Sequence, residues 1–546
     1  MKKRPAFAFL VFLLVGINVQ AQVWQWSVPV KGARKDGSTA YLWIPETVRK
    51  VKAVILAQHN MEEISIIENA HFRKEMEKLS FAIVWVAPSF DHFFRFNEGA
   101  GQVLDSFMSA LADSSGYSEL KYVPFVTVGH SAAASWPYYY TAWNPGRTLC
   151  AISVSGQWPW FRHPQFAPDI WEGRNIDYVP CLETMGEYEA ADTWSAEGLK
   201  ERKEHPLMPL SMLACPGEGH FAATDKKIAY IAYYIKKAAQ YRLPENFTAG
   251  TVLKAIDPVR TGWLMEKWRA DEAPHTRPAP VGSYRGDTTQ AFWFFDEEMV
   301  RATERYQQQE GKKQPQLLGY MQDGAVIRQR NTHLQVHIPF HPLNDGVSFM
   351  LKGTFLDTVP GESERPPMWT GLPPGSSLSH AEKGGPIAIN RVTGPFKKIN
   401  DTTFRLDLRN GEAPHPKEYS LCFVATHPGD TAFKPAVQQA EMIVPARNTK
   451  GEPQQITFPP IGDKKAGIKR IKLQARSDKG LPVYYYIQSG PAYIKEGYLE
   501  FTPVPPRARF PVKVTVVAWQ YGNSVVQTAE AVQRLFYLYK CEKVVR

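Results

Sequence analysis

Ser131 lies in Gly129-His130-Ser131-Ala132-Ala133, directly after the run Val123-Pro124-Phe125-Val126-Thr127-Val128 and before a helix-compatible stretch. A serine hydroxyl is a poor nucleophile at neutral pH until a base removes its proton, and histidine is the usual base. His220 stands in Cys215-Pro216-Gly217-Glu218-Gly219-His220-Phe221, after one apolar run and before a helical one. Three acidic residues, Glu187, Glu189 and Asp192, follow the apolar run that ends at Met185. The chemistry open to such a set is acyl transfer. The serine attacks a carbonyl carbon, the histidine moves the proton and a carboxylate orients the ring.

The strand, Gly129-His130-Ser131-Ala132-Ala133 and the helix together resemble the nucleophile elbow of the α/β-hydrolase superfamily, whose pattern is G-x-S-x-G. Small residues flank the serine there because the turn brings strand and helix too close for larger ones. Ala133 stands where glycine is usual, a departure of one methyl group. In that superfamily the order along the chain is serine, acid, histidine, and the loop at His220 looks like its histidine loop. The resemblance puts the acid in Gly186-Glu187-Tyr188-Glu189, with Glu189 preferred for its distance from the loop glycine and Glu187 and Asp192 as alternatives. It also implies an oxyanion hole. One N–H would come from Ala132 and the other from Asn60 or Met61, in the loop Gln58-His59-Asn60-Met61-Glu62 after the first apolar strand.

These residues need a scaffold that brings three loops to one end. Between about 23 and 242, short apolar or β-branched runs alternate with amphipathic helical stretches, the pattern of an α/β domain on a mostly parallel sheet. Strands are expected at Val51–Ala57, Phe81–Ala87, Val123–Val128, Leu149–Val154, Tyr178–Met185 and Leu210–Ala214. Helices are expected at Ile66–Leu79, around Val103–Leu111 and around Ile228–Ala238, where apolar residues recur at helical spacing. The aromatic-rich stretch from Gln157 to His163 occupies a place where this fold often carries a lid. Trp158 and Trp160, with Trp136 beyond the nucleophile, are therefore candidate substrate-stacking residues.

The chain has 546 residues, more than one hydrophobic core usually serves. Residues 1–21 open Met-Lys-Lys-Arg, run apolar from Ala6 to Val15 and end in small residues, the pattern of a secretory signal peptide. The apolar run is too short for a membrane span. The expected organisation is then an α/β-hydrolase domain over 22–244, a connector over 245–315, a β-rich domain over 316–450 and a β-sandwich over 451–546. The last region is similar to the immunoglobulin-like modules of exported bacterial proteins, on short alternating strands spaced by turn residues. Export would place the protein in the periplasm or outside the cell.

The formal net charge is +10. Three of those charges belong to Lys2, Lys3 and Arg4 in the leader, leaving a balance that solubility alone explains. Five cysteines are too few and too scattered for a disulfide scaffold, and Cys181 with Cys215 is the one pairing that neighbouring strands suggest. No G-x-G-x-x-G follows the first strand, and there is neither a phosphate loop nor a basic cluster interleaved with aromatics, which argues against nucleotide or nucleic-acid partners. His59, Asp91 and His92 share one end of the expected sheet without the spacing of a zinc motif, so no cofactor is expected. The expected activity is an exported carboxylesterase acting on acetyl, methyl or feruloyl groups of polysaccharides. A peptidase of the same fold and an inactive carbohydrate-binding protein are the alternatives.

Overall fold

The computed structural model describes residues 23–308, 313–332, 334–410 and 417–541, so the expected leader lies outside the described residues. The first body is an eight-stranded sheet. Its strands are β1 (Trp26–Pro29), β2 (Thr39–Trp43), β3 (Ala53–Gln58), β4 (Phe81–Ala87), β5 (Phe125–His130), β6 (Thr148–Val154), β7 (Cys181–Gly186) and β8 (Leu210–Cys215). They are ordered β1-β2-β4-β3-β5-β6-β7-β8. β2 runs antiparallel to both β1 and β4, and every other neighbouring pair is parallel. This is the α/β-hydrolase fold. Helices on both faces explain why β3 to β8 are buried along their whole lengths and read as continuous apolar runs.

Six helices flank this sheet: α1 (Glu63–Ile67), α2 (Ala70–Leu79), α3 (Ala100–Ser115), α4 (Trp136–Trp143), α5 (Ala191–Glu204) and α6 (Asp225–Arg242). The single helix expected over Ile66–Leu79 is broken at Asn69. That residue is extended, and its side chain caps α2 by accepting from the N–H groups of His71 and Phe72. Thr224 caps α6 in the same manner, and Ile228, Ile231, Ile235 and Ala238 turn their common face into the core.

The expected connector belongs to the same core. It folds as a small sheet of β9 (Trp263–Glu266), β10 (Ala279–Pro280) and β11 (Ala291–Phe294), followed by α7 (Glu297–Gln307). Ala279-Pro280 pairs with Trp263-Leu264 on the edge of that sheet, where a proline needs no ladder N–H. Phe292, Trp293, Phe294, Met299 and Tyr306 join the hydrophobic cluster of the large sheet. Ser211 Oγ of β8 donates to the Trp293 carbonyl, and Lys237 Nζ of α6 reaches Asp296 Oδ2 at 2.6 Å.

The remainder is rich in antiparallel sheets. One body is built around a four-stranded sheet in which Val336–Ile338, Ala436–Pro445, Glu418–His427 and Ala388–Thr393 lie side by side. Its core holds Leu318, Tyr320, Phe349, Phe396, Phe404 and Phe423. The last body sets a sheet containing Tyr484–Ser489, Val512–Trp519 and Val532–Tyr539 against a smaller one containing Ala492–Lys495 and Tyr498–Phe501, with Leu499, Val514, Val516 and Phe536 between them. The segment 358–386 carries one helical turn and a half, α8 (Arg365–Thr370).

The Cys181–Cys215 pairing is corrected. Cys181 opens β7 and Cys215 closes β8, and in the parallel register they oppose Leu210 and Gly186 respectively, so each sits at a different end of the strand pair. All five cysteines are free thiols, and only Cys541 is exposed. Trp293 gives a test of the connector as part of the first core. Its ring is 1% exposed and its Nε1 donates to the Thr261 carbonyl at 2.7 Å. Trp293→Ala should lower the stability of the first body by about 3–5 kcal/mol, read as an earlier denaturant midpoint of that body's transition.

Candidate active site

Ser131 sits at the turn between β5 and α4 with φ +54°, in the left-handed region that a non-glycine residue enters only when its surroundings hold it there. The turn is close enough that a Cβ on Gly129 would lie 2.0 Å from the Ala133 carbonyl oxygen. Glycine is therefore required at 129, while the methyl group of Ala133 is accommodated in full burial. Gly186 meets the same demand on the next loop, where a Cβ would lie 2.4 Å from the Glu218 carbonyl oxygen. That close approach lets the Tyr188 N–H donate to the same oxygen at 3.0 Å, joining the acid loop to the histidine loop.

The three loops converge. His220 Nε2 lies 2.8 Å from Ser131 Oγ, and His220 Nδ1 lies 3.0 Å from Glu189 Oε2. The neutral ring thus donates from Nδ1 to the carboxylate and accepts the serine O–H at Nε2. The two alternative acids are engaged elsewhere. Glu187 accepts the Gly217 N–H at 2.8 Å and faces Lys434 Nζ at 3.3 Å, while Asp192 pairs with Lys267 Nζ at 3.0 Å.

Of the two residues expected to provide the second oxyanion donor, Met61 has its N–H committed to Glu63 Oε2 at 2.8 Å. No protein acceptor among the described residues takes the backbone N–H of Asn60 or of Ala132. The Asn60 side chain itself donates to the His130 carbonyl at 2.7 Å, which fixes its loop against the elbow.

Several supporting residues were not singled out from the sequence. Glu63 is fully buried, and its other oxygen accepts the His130 N–H at 2.8 Å, so one carboxyl group spans the loop after β3 and the turn at Ser131. Burial pushes its pKa up to about 8, against the backbone N–H groups of Glu63, His130 and Met61 that pull it down. The histidine loop is pinned through Glu218, which meets Lys227 Nζ at 3.1 Å and accepts from Thr224 Oγ1 at 2.7 Å and from the Tyr306 hydroxyl at 3.0 Å. His130 Nε2 meets the His220 carbonyl oxygen at 2.9 Å. The acidic residue at the start of α1 was the one legible signal among these, because it directly follows the expected oxyanion loop.

The substrate-stacking assignment of Trp136 and Trp158 is corrected. Trp136 is fully buried and its Nε1 donates to the Val128 carbonyl at 3.2 Å, tying α4 to β5. Trp158 is also fully buried, stacked on Phe292 and packed against Gly198, with its Nε1 on the Trp194 carbonyl at 2.8 Å. Trp160 is partly exposed but lies flat on His205, the ring centroids 3.5 Å apart. Large rings that can fill a core between helix and sheet gain more from burial than from lining a cleft.

Around the oxyanion loop, burial pushes the His59 imidazole down to about 4, aided by His92, Lys35 and Arg391. It is therefore neutral at physiological pH. Among the described residues no group of three or more His, Cys, Asp or Glu side chains is arranged to hold a metal ion.

No family model and no curated protein matches the chain. Solved structures similar to parts of it include a dienelactone hydrolase from Anabaena variabilis, 14% identical with a TM-score of 0.29 over 41% of this chain and 100% of that one. A fluorophosphonate-binding serine hydrolase of Staphylococcus aureus is 12% identical, with a TM-score of 0.28 over 38% of this chain and 97% of that one. The esterase PE8 is 15% identical, with a TM-score of 0.26 over 40% of this chain and 99% of that one. The fold is defined by the strand order above.

Replacing Glu63 with Gln sets an amide N–H against one of the two backbone donors that the carboxyl now accepts. Glu63→Gln should destabilise the protein by about 1–3 kcal/mol at pH 5. Between the unfolded-state carboxylate pKa and about 8, the folded parent holds a proton at Glu63 that the unfolded chain has released, so parental stability falls with rising pH. The variant lacks that slope. Its stability gap to the parent should narrow from pH 5 to pH 8 in paired thermal melts, and a constant gap would contradict the raised pKa.

Proposed function

We propose that the chain is a serine hydrolase of ester bonds, a carboxylesterase acting on acetyl, methyl or feruloyl esters of polysaccharides. The observation that carries this reading is the continuous path Glu189–His220–Ser131, with contacts of 3.0 and 2.8 Å. His220 Nε2 takes the Ser131 proton as Oγ bonds to the ester carbonyl carbon. The displaced electron pair settles on the carbonyl oxygen, which the N–H groups of Ala132 and Asn60 stabilise. Each such donor contributes about 3–4 kcal/mol in comparable sites. Collapse of the adduct breaks the bond to the alcohol oxygen, which leaves with the proton from His220. Water, deprotonated by the same ring, then attacks the acyl-enzyme, releases the acid and returns the proton to Ser131. Glu189 keeps the ring in the required tautomer and stabilises the imidazolium.

Polysaccharide esters are favoured as substrates by two features. Residues 1–21 carry an export pattern, which implies a periplasmic or secreted enzyme, and two strand-rich bodies accompany the hydrolase sheet. One of them packs against the acid and histidine loops, where Tyr188 and Phe221 share an apolar cluster with Val392, Val424 and Val437. No bound cofactor enters the scheme, and the partner is the ester substrate itself.

A fluorophosphonate probe should label the parent and leave Ser131→Ala unlabelled, and kcat on simple esters should fall in the variant by roughly 10^6-fold. Equal labelling of both proteins, or none of the parent, would sink the hydrolase reading. Acetylated, methyl-esterified and feruloylated glycans should then be hydrolysed faster than peptide substrates. Preferential cleavage of peptides would identify a peptidase instead, and glycan binding without turnover a binding protein.

A further inference from the structure

Helix α8 belongs to the second body, yet two of its side chains end on the acid loop of the first. Arg365 Nη1 bonds Glu189 Oε1, the carboxylate oxygen that His220 does not use. Trp369, one helical turn further on, shares that face of α8. Its Nε1 donates to the Tyr188 carbonyl at 2.7 Å, and its ring centroid lies 5.2 Å from that of Tyr188. Two more contacts come from the residues just before the strand Ala436–Pro445 of the same body. The Tyr188 hydroxyl donates to the Pro435 carbonyl at 2.6 Å, and Lys434 Nζ faces Glu187. The turn Glu187–Glu189 is thus gripped residue by residue from outside the hydrolase sheet.

We propose that Arg365 is a positioning residue of the active site, supplied by the second body to hold the Glu189 carboxylate at His220. The inference rests on the triad reading above. A carboxylate with one oxygen bonded can rotate about its last carbon–carbon bond and release the ring. With Oε1 fixed to a guanidinium, Oε2 is the oxygen left for His220 Nδ1, and the plane of the carboxylate is set by both partners. The guanidinium suits this task because it is always charged and presents a rigid planar fork. Glu189 is 12% exposed and Arg365 23% exposed at the side chain, so the pair is largely shielded from solvent without the full desolvation penalty of a deeply buried one. Glu189 ends a single tight turn just ahead of α5, and Arg365 adds a contact to its carboxylate from outside that turn.

The test uses the full chain and p-nitrophenyl acetate. Arg365→Ala should lower kcat by about 10- to 100-fold, the size expected of a misplaced catalytic group, with KM little changed. Tens of millimolar guanidinium chloride should restore much of that loss, sodium chloride at the same concentration should not, and Arg365→Lys should retain more activity than the alanine variant. A kcat equal to the parent's would overturn the proposal. So would a loss that guanidinium does not relieve and that Arg365→Lys shares, since that is the signature of a clip between bodies with no role at the carboxylate. Should Arg365→Ala fail to fold, Arg365→Gln carries the same comparison, because it keeps length and a single N–H donor without the charge. The parent's labelling by fluorophosphonate separates the two readings. An unlabelled parent removes the hydrolase assignment and this role with it, whereas a labelled parent with an unimpaired Arg365→Ala removes the role of Arg365 alone.

Discussion

Ser131 is held in a left-handed backbone conformation that costs about 1–3 kcal/mol relative to an ordinary one, and the surrounding structure supplies the compensation. β5 enters the turn fully buried and hydrogen-bonded on both sides, so the strand end cannot relax. Trp136 ties the outgoing helix back to β5, and Gly129 leaves the space in which the Ala133 carbonyl sits. Glu63 then fixes the turn to the neighbouring loop through a single buried carboxyl. With the hydroxyl in place, only loops that reach the same spot can act on it, and this explains why the histidine and acid loops are braced as heavily as they are.

Much of this arrangement is written locally in the sequence. A strand buried on both faces reads as an unbroken apolar run, so the sheet of the first body is legible from β3 to β8. The elbow is legible because its sterics restrict five consecutive positions, and the histidine loop because glycines cluster around a single ring. Choosing among Glu187, Glu189 and Asp192 was another matter. All three are acidic residues within six positions, and what separates them is who else meets them: Gly217 and Lys434 at Glu187, Lys267 at Asp192, His220 and Arg365 at Glu189. Those partners lie far along the chain, and Arg365 is 176 residues from the carboxylate it touches. Trp136 and Trp158 departed from expectation for a related reason. An indole near a site has the same identity whether it faces solvent or fills a core, and Trp136 and Trp158 fill the core.

The bodies of the chain are not beads on a string. The connector contributes Trp293 to the first core and Tyr306 to the support of the histidine loop. The second body meets the hydrolase sheet at Tyr188 and Phe221, and also where Ser65 Oγ donates to the Val392 carbonyl and Arg409 pairs with Glu68 at 2.9 Å. The last body also docks on the first, where Arg507 pairs with the buried Glu119 and Arg509 donates to the Ser115 and Asp113 carbonyls. Most of these contacts are polar and directional, which sets relative orientation more sharply than an apolar seam of equal area would.

The free thiols described above carry a consequence for how the chain is made. Four of the five cysteines are buried, and burial pushes the thiols of Cys150 and Cys422 up to about 12 and raises those of Cys181 and Cys215 as well. A thiol that stays protonated and out of contact with solvent is a poor partner for exchange. The architecture therefore needs no oxidant to mature and no isomerase to sort its pairings. Once those cores close, the chain holds the same covalent structure on either side of a redox boundary, and a single surface thiol at Cys541 is left to report which side it is on.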